Sequence, residues 1–205
     1  MLVREEAFPF AAPPALAAAV LGAMGHPIWA LGAAVAALAV CGFFRDPERV
    51  PPGDLSALVS PADGRVVKVE RGEGRVIISV FMSVFNVHVN RAPWPARVKK
   101  ASYNPGKFMA AWDDKASLDN EQLRLTFEAA EGAFEVVQIA GLVARRIVTW
   151  APEGRTFERG ERLGMIRFGS RVDLYLPEER VEVTAEVGQK AVAGVSVLAR
   201  WKGRQ

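Results

Sequence analysis

The feature that most constrains this chain is a long uncharged stretch near its N-terminus. Residues 7–44 contain no Asp, Glu, Lys or Arg, and Gly25-His26-Pro27 breaks them into two apolar segments, 10–24 and 28–44. At 1.5 Å per residue, each helix would be about 22–26 Å long, a little shorter than a hydrocarbon core of about 30 Å. Residues 1–50 are therefore predicted to form a hydrophobic, membrane-associating helical hairpin, either as two thin spans or as a re-entrant pair.

Three other interpretations of this segment fit less well. A secretory signal peptide would begin with basic residues, whereas Arg4 is followed by two glutamates and the apolar stretch is too long. A lipoprotein signal ending at Cys41 would place a valine in the unfavourable position before the cysteine. A hairpin buried in a soluble protein remains an alternative, and the uninterrupted apolar length argues against it.

After residue 50 the hydrophobic period changes from that of a helix to that of a strand. Val-rich alternating runs bounded by Gly, Pro, Asp or Asn predict strands, and only residues 105–118 are weakly helical. Residues 51–205 are therefore predicted to form a second, mostly-β domain, a compact barrel or sandwich. Residues 182–199 resemble the hybrid barrel-sandwich motif of biotinyl-carrier domains, without its Met-Lys-Met attachment sequence. The runs lie at 65–70, 75–82, 97–102, 123–128, 134–140, 142–150, 165–168, 171–176, 181–187 and 195–199.

Composition narrows the chemistry that the chain can carry. A single cysteine excludes an intramolecular disulfide, and with only two histidines no metal site is expected. The net charge of +3 favours an anionic partner only weakly.

Between Glu73 and Asp113 there are six basic and no acidic residues, with Trp94, Phe108 and Trp112 among them. This run predicts a surface for anionic lipid headgroups, and its alternative is a solvated face over core aromatics. A nucleic-acid surface would look similar, but the hairpin favours a membrane.

One dipeptide has an unusual chemical option. Gly169-Ser170 is the only Gly-Ser pair in the chain, and it lies between two predicted strands. Glycine tolerates strained backbone angles and leaves its carbonyl open to attack, so the Ser170 hydroxyl could form an ester by an N→O acyl shift. β-Elimination would then break the chain and leave a pyruvoyl group at residue 170. By itself, the dipeptide is better explained by an ordinary turn serine, so the reactive interpretation depends on the rest of the sequence.

Two further residues supply the context for Ser170. His88 is the only histidine after residue 50, so it is the simplest candidate for a general base near neutral pH. Asp63 precedes Gly64 ahead of a predicted strand. Asp63, His88 and Ser170 could form an Asp–His–Ser arrangement in which the acid orients the base that activates the nucleophile. The alternatives are a turn-forming aspartate and a core histidine.

Several segments together resemble the short bacterial form of phosphatidylserine decarboxylase proenzyme. Phe168 and Arg171 flank the Gly-Ser pair where the family's more familiar sequence is Leu-Gly-Ser-Thr. Arg91 stands where the long forms carry a second histidine, and Val84 and Asn86 replace the usual proline and aspartate. The matching segments occur in order along nearly the whole chain: FFRDPER at 43–49, SPADG at 60–64, FMSVFNVHVNR at 81–91, NE at 120–121 and RFGSRVD at 167–173.

This resemblance implies self-cleavage between Gly169 and Ser170 into subunits 1–169 and 170–205. A pyruvoyl group made from Ser170 would then convert phosphatidylserine in the membrane to phosphatidylethanolamine and CO₂ without an external cofactor. Asp63 would orient His88, which would serve in both maturation and decarboxylation. Substrate contacts are implied at Arg91, Asn120 and Glu121. We expect no nucleic-acid partner and a site at the cytoplasmic face of the cytoplasmic membrane; homo-oligomerisation stays open.

Two hypotheses compete with this one. A membrane-associated serine hydrolase would use Asp63, His88 and Ser170 in an unbroken chain. A non-enzymatic, membrane-anchored β scaffold would use none of them.

Overall fold

The chain forms two compact units, Met1–Glu48 and Arg49–Gln205. The structure, a computed structural model, describes residues 2–106, 120–141, 146–167 and 170–203. The helix predicted at 105–118 therefore lies almost entirely outside the described residues.

The first unit is a helical hairpin, as the uncharged stretch predicts. Helix α1 (Phe8–Ala23) and helix α2 (Pro27–Phe43) meet at the Gly-His-Pro break. At the open end of the hairpin, β1 (Leu2–Val3) pairs antiparallel with β2 (Arg45–Asp46). No residue of α1 is buried, and in α2 only Phe43 is. Both helices are thus apolar all round, a pattern expected of surfaces that do not face water.

Among the described residues, only the first helix satisfies the length criterion for a membrane span. The helical segment Glu5–Ala23 is long and apolar enough to cross a membrane, whereas α2 is shorter. Core helices and signal sequences share this length and composition.

The second unit is built from short antiparallel strands. They are β3 (Ala57–Val59), β4 (Gly64–Gly72), β5 (Arg75–Met82), β6 (Val89–Arg91), β7 (Ala96–Asn104), β8 (Gln122–Ala129), β9 (Gly132–Ala140), β10 (Ile147–Thr149), β11 (Thr156–Phe157), β12 (Arg162–Ile166), β13 (Ser170–Pro177), β14 (Val181–Val183), β15 (Lys190–Ala191) and β16 (Val197–Trp201).

The described strands of this unit form three sheets. The largest has the order β11-β7-β8-β9-β13-β5-β4-β15, and two smaller sheets have the orders β10-β12-β6 and β14-β16-β3. Alternate residues of β5, β8, β9 and β13 point into one hydrophobic core, in which Phe127 stacks on Phe134. The mostly-β prediction is confirmed as a sandwich-like arrangement. It is not a closed barrel among the described strands, since the large sheet keeps two edges.

The predicted strands agree best with the observed ones where the alternation of apolar and polar residues is longest. The prediction at 75–82 matches β5 residue for residue, and that at 134–140 matches β9 except for two residues at its start. Within the predicted run 142–150, the described strand is only β10. The predicted pairing across 182–199 exists between β14 and β16. The two-residue β11 and β15 were not predicted, because such short strands carry no period.

Candidate active site

Ser170 is the first residue of β13, which lies between β5 and β9 in the large sheet. It pairs with Met82 on one side and with Ala140 on the other. Its side chain is fully buried, and Oγ lies 3.4 Å from the sulfur of Met82. The residue before it, Gly169, lies outside the described residues. Ser170 is thus held by hydrogen-bonded strands on both sides from its own position onward.

A chain of buried polar contacts leads away from Ser170. The amide nitrogen of Asn90 lies 3.6 Å from the Met82 sulfur that Ser170 also touches. Gln138 donates a hydrogen bond of 2.7 Å from Nε2 to Oδ1 of Asn90. All four side chains are fully buried. Within the described part of the chain, Oε1 of Gln138 has no hydrogen-bond partner.

Sequence reasoning missed Met82, Asn90 and Gln138 as site residues. Met82 looks like any core methionine at the end of an alternating strand. Gln138 gave the one available signal, because it is a polar residue on the core-facing side of β9, where Phe134, Val136 and Ala140 are apolar. A buried amide is costly unless it is paired, so such a residue marks a position with a polar neighbour.

His88 precedes β6 and is fully buried. Its Nδ1 lies 3.0 Å from the backbone carbonyl oxygen of Asn86. Because a carbonyl can only accept, Nδ1 must carry the proton, and the lone pair of the neutral ring is then on Nε2. The backbone carbonyl of His88 accepts a hydrogen bond of 3.3 Å from the nitrogen of Ile166. This contact brings the histidine next to the chain that runs into Gly169 and Ser170.

Asp63 lies at the same end of the large sheet. A side chain at the next residue, Gly64, would clash with the backbone carbonyl of Phe81, so the glycine lets β4 approach β5 closely. Two strand spacings separate β4 from β13, about 10 Å. The Asp63 carboxylate accepts hydrogen bonds from Arg49 at 3.0 Å and from the Ala193 nitrogen at 2.7 Å. The described hydrogen bonds of the Asp63 carboxylate therefore lead to Arg49 and Ala193 and not to His88.

Two of the three predicted substrate residues contact Ala140, because the backbone carbonyl of Glu121 accepts a 2.9 Å hydrogen bond from its nitrogen. Asn120 donates a 2.8 Å hydrogen bond to the carbonyl of Ala140, the strand partner of Ser170, and therefore lies near the site. Glu121 accepts from the hydroxyl of Tyr103 at 2.9 Å, a bond that raises the pKa of that tyrosine. Arg91 is buried at the end of β6 and donates to the carbonyl of Gly160 at 2.9 Å.

Comparison with known proteins identifies the family. A model of the phosphatidylserine decarboxylase family matches residues 36–199, about four-fifths of the chain. The chain belongs to the phosphatidylserine decarboxylase family. A phosphatidylserine decarboxylase proenzyme of Oleidesulfovibrio alaskensis is 49% identical over 98% of this chain and 94% of its own length. Proteins of the same name from Beijerinckia indica and Nitratidesulfovibrio vulgaris are 50% and 54% identical, over 96% and 78% of this chain and 88% and 76% of their own lengths.

In this family member, the face of β13 opposite Ser170 carries a buried ion pair. Arg171 Nε lies 2.9 Å from Oδ1 of Asp173, and NH2 donates to Oδ2 at 3.1 Å. The two side chains are 4% and 2% exposed. Burial raises the pKa of Asp173, and the neighbouring guanidinium opposes this shift without overcoming it.

The basic and aromatic run does not form one lipid-facing surface. Arg91 and Trp94 are buried, and Trp94 donates from its indole nitrogen to Glu131 at 2.9 Å. Lys99 forms an exposed ion pair with Glu128 across β7 and β8. The prediction is therefore wrong for Arg91 and Trp94. All three residues of β6 are buried, and Trp94, which lies between β6 and β7, packs in the core against Trp201. Residues 107–119 lie outside the described part.

Proposed function

We propose that this chain decarboxylates phosphatidylserine to phosphatidylethanolamine and CO₂ after cleaving itself between Gly169 and Ser170. Membership of the decarboxylase family supports the reaction. The structural observation that carries the proposal is the burial of Ser170 at the first position of a central strand, beside the segment that contains His88. A serine hydrolase would need an open nucleophile and a hydrogen-bonded triad, and the described contacts of Asp63 do not supply one.

Self-cleavage starts with proton transfer from the Ser170 hydroxyl to Nε2 of His88. Oγ attacks the carbonyl carbon of Gly169, the Gly169–Ser170 C–N bond breaks as the nitrogen takes up the proton from His88, and an ester replaces the amide. Elimination then removes the Cα proton of residue 170, breaks the bond between Cβ and Oγ, and releases residues 1–169 with a new carboxylate. Water converts the remaining dehydroalanine to the pyruvoyl group with loss of ammonia.

The surroundings of Ser170 suit a pyruvoyl group. The contact at Oγ is a thioether, which neither reacts with a ketone nor provides a competing amine. The pyruvoyl group supplies an electrophilic carbonyl that takes up the electron pair left by CO₂. The contact of His88 Nδ1 with the Asn86 carbonyl supports a role in which Nε2 would hold or deliver a proton.

Asn120, Arg91 and Glu121 are proposed to contact the substrate. The position of Asn120 against the strand partner of Ser170 supports this role most directly. Arg91 also bonds the carbonyl of Gly160, and Glu121 also bonds the hydroxyl of Tyr103. These contacts support a second role for both residues, in holding the surrounding segments in position.

Asp63 is proposed to orient His88 during maturation. Its position at the Ser170 end of the large sheet supports this role, and its bonds to Arg49 and Ala193 support a second one, fixing the 191–194 segment. Asp63→Asn distinguishes the two roles. A loss of orientation would change the pH profile of cleavage, whereas a purely structural role would change only the unfolding midpoint.

The reaction is proposed to occur at the cytoplasmic face of the cytoplasmic membrane, where the apolar hairpin would anchor the chain. Fragments 1–169 and 170–205 are proposed to stay together after cleavage. The eight residues of β13 pair with β5, and the first six also pair with β9, which supports a lasting association.

Denaturing mass spectrometry of the purified full chain tests the proposal. We expect two fragments, of which 170–205 has no free N-terminal amine and reacts with a hydrazine, and CO₂ release from vesicles that contain phosphatidylserine. His88→Gln should slow cleavage by about 10²–10⁴-fold. An intact chain that reacts with a serine-directed phosphonate would indicate the hydrolase, and an intact, unreactive chain the scaffold.

A further inference from the structure

The turn between β5 and β6 presents two apolar side chains to solvent. Val84 is 48% exposed and Phe85 is 84% exposed. We call residues 83–87 the apolar turn. Its conformation is held by Asn86, whose Oδ1 accepts from both the nitrogen and the hydroxyl of Ser83 at 2.8 Å. The nitrogen of Asn86 also donates to the carbonyl of Ser83 at 3.0 Å. The turn therefore keeps its shape without burying the side chains at its tip.

Burial does not account for the absence of charge in this turn. Residues 76–90 contain no Asp, Glu, Lys or Arg, although Arg75 and Arg91 flank them. In β5 and β6, burial accounts for the missing charges. The tip is exposed, so a charged or polar side chain would fit there, and water would favour it. An exposed tip with one branched aliphatic and one aromatic side chain instead suits contact with an apolar phase.

The apolar turn is part of the same segment as the reactive groups. It begins one residue after Met82, whose sulfur touches Ser170 Oγ, and it ends one residue before His88. Asn86, which closes the turn, also holds Nδ1 of His88 through its carbonyl. Any surface that receives Val84 and Phe85 therefore approaches the Ser170 end of the large sheet.

We propose that the apolar turn inserts into the phospholipid bilayer and holds the Ser170 end of the sheet at the level of the lipid headgroups. This inference rests on the proposed function, because a headgroup must reach Ser170 without the lipid leaving its membrane. A protein partner suits the turn less well, since a stable interface needs about 800 Å² from each side and two side chains provide far less. Segments that bind at the membrane interface carry residues such as Trp, Phe and Leu on the side that enters the bilayer, and Phe85 is a residue of this type.

The direct test places an environment-sensitive fluorophore on the tip. Cys41→Ala removes the native thiol, and Phe85→Cys then provides the only labelling site in the full chain. Phosphatidylcholine vesicles with phosphatidylserine should shift the emission of this label to the blue. The matched control is a label at Val187→Cys, an apolar residue that is 65% exposed in another turn. No shift at 85, or an equal shift at 187, would overturn the proposal.

A kinetic test uses Val84→Ser/Phe85→Ser in the cleaved full chain. Decarboxylation of vesicle-bound phosphatidylserine should fall about tenfold or more, because the apolar area that enters the bilayer is lost. Decarboxylation of a short-chain phosphatidylserine dissolved as monomers should stay unchanged, as should self-cleavage. Leu55→Ser/Val187→Ser, which removes two other exposed apolar side chains, should change neither rate.

The outcomes separate this inference from the proposed function. Equal loss on vesicles and monomers would mean that the turn supports the site and not membrane contact, and the inference would fail alone. If the wild-type chain neither cleaves itself nor releases CO₂, the proposed function fails, while the label at 85 still reports directly on insertion.

Discussion

The two faces of β13 hold their polar groups in opposite ways. On the core face, Ser170 touches only a thioether among its described side-chain contacts. On the other face, Arg171 and Asp173 form a two-point ion pair with both side chains buried. The strand thus carries two buried charges that compensate each other on one face and a hydroxyl with few described contacts on the other. Under the proposed function, the bond before Ser170 would break on the face without charges, while strand pairing with β5 and β9 keeps the rest of β13 in place.

The largest expected effect concerns the core face. Ser170→Ala removes the nucleophile, so self-cleavage should be lost completely while the fold remains. Ser79→Ala is the matched control, because Ser79 is a buried serine on β5 that pairs across from Asp173 on the opposite face. Its chain should be processed normally. Intact mass measures both, and any 170–205 fragment in the Ser170→Ala protein would contradict the proposed site.

The next-largest effect concerns the face of β13 that carries Arg171 and Asp173. Asp173→Asn leaves the buried Arg171 charge without its counterion and should lower the free energy of unfolding by about 3–5 kcal/mol. Arg171→Met/Asp173→Leu removes both charges and should be neutral or stabilising. Denaturant unfolding in detergent solution compares them with the wild type. If the single variant is as stable as the double variant, Asp173 does not stabilise the buried charge of Arg171.

A smaller effect is expected from the polar chain behind Ser170. Gln138→Leu removes the donor to Asn90 and should slow self-cleavage about tenfold, because Asn90 then no longer holds Met82 against Ser170. The change should cost about 1–3 kcal/mol of stability. Val136→Ala, at an inward position of the same strand, should cost a similar amount but leave the cleavage rate unchanged. Equal cleavage rates in the two variants would assign Gln138 to stability alone.

The smallest expected effect is a pH dependence of the contribution that Asp173 makes to the free energy of unfolding. Because burial raises the pKa of Asp173, the folded chain binds more protons than the unfolded chain above about pH 4. The contribution of this group to stability should therefore decrease as pH rises from about 4 through the raised pKa. The difference in unfolding midpoint between wild type and Arg171→Met/Asp173→Leu should follow this trend. A difference that grows with pH would contradict it.

The elements with strong local patterns were predictable from the sequence. The hairpin follows from an uncharged stretch interrupted by Gly25-His26-Pro27, and its helices differ from the predicted segments by only a few residues. Strand β5 follows from unbroken alternation. The burial of Trp94 was not predicted, because a tryptophan among basic residues has the same local sequence whether it faces lipid or core.

For the site, the sequence by itself determined the residue types that can react: one serine after a glycine, and one histidine in the body of the chain. Only the tertiary structure decided that Asn86 orients His88, that Asn90 and Gln138 lie behind Met82, and that Asp63 bonds Arg49. These contacts join residues up to 48 positions apart along the chain. Their geometry depends on how strands pair across the sheet, and no local period of hydrophobic residues encodes that pairing.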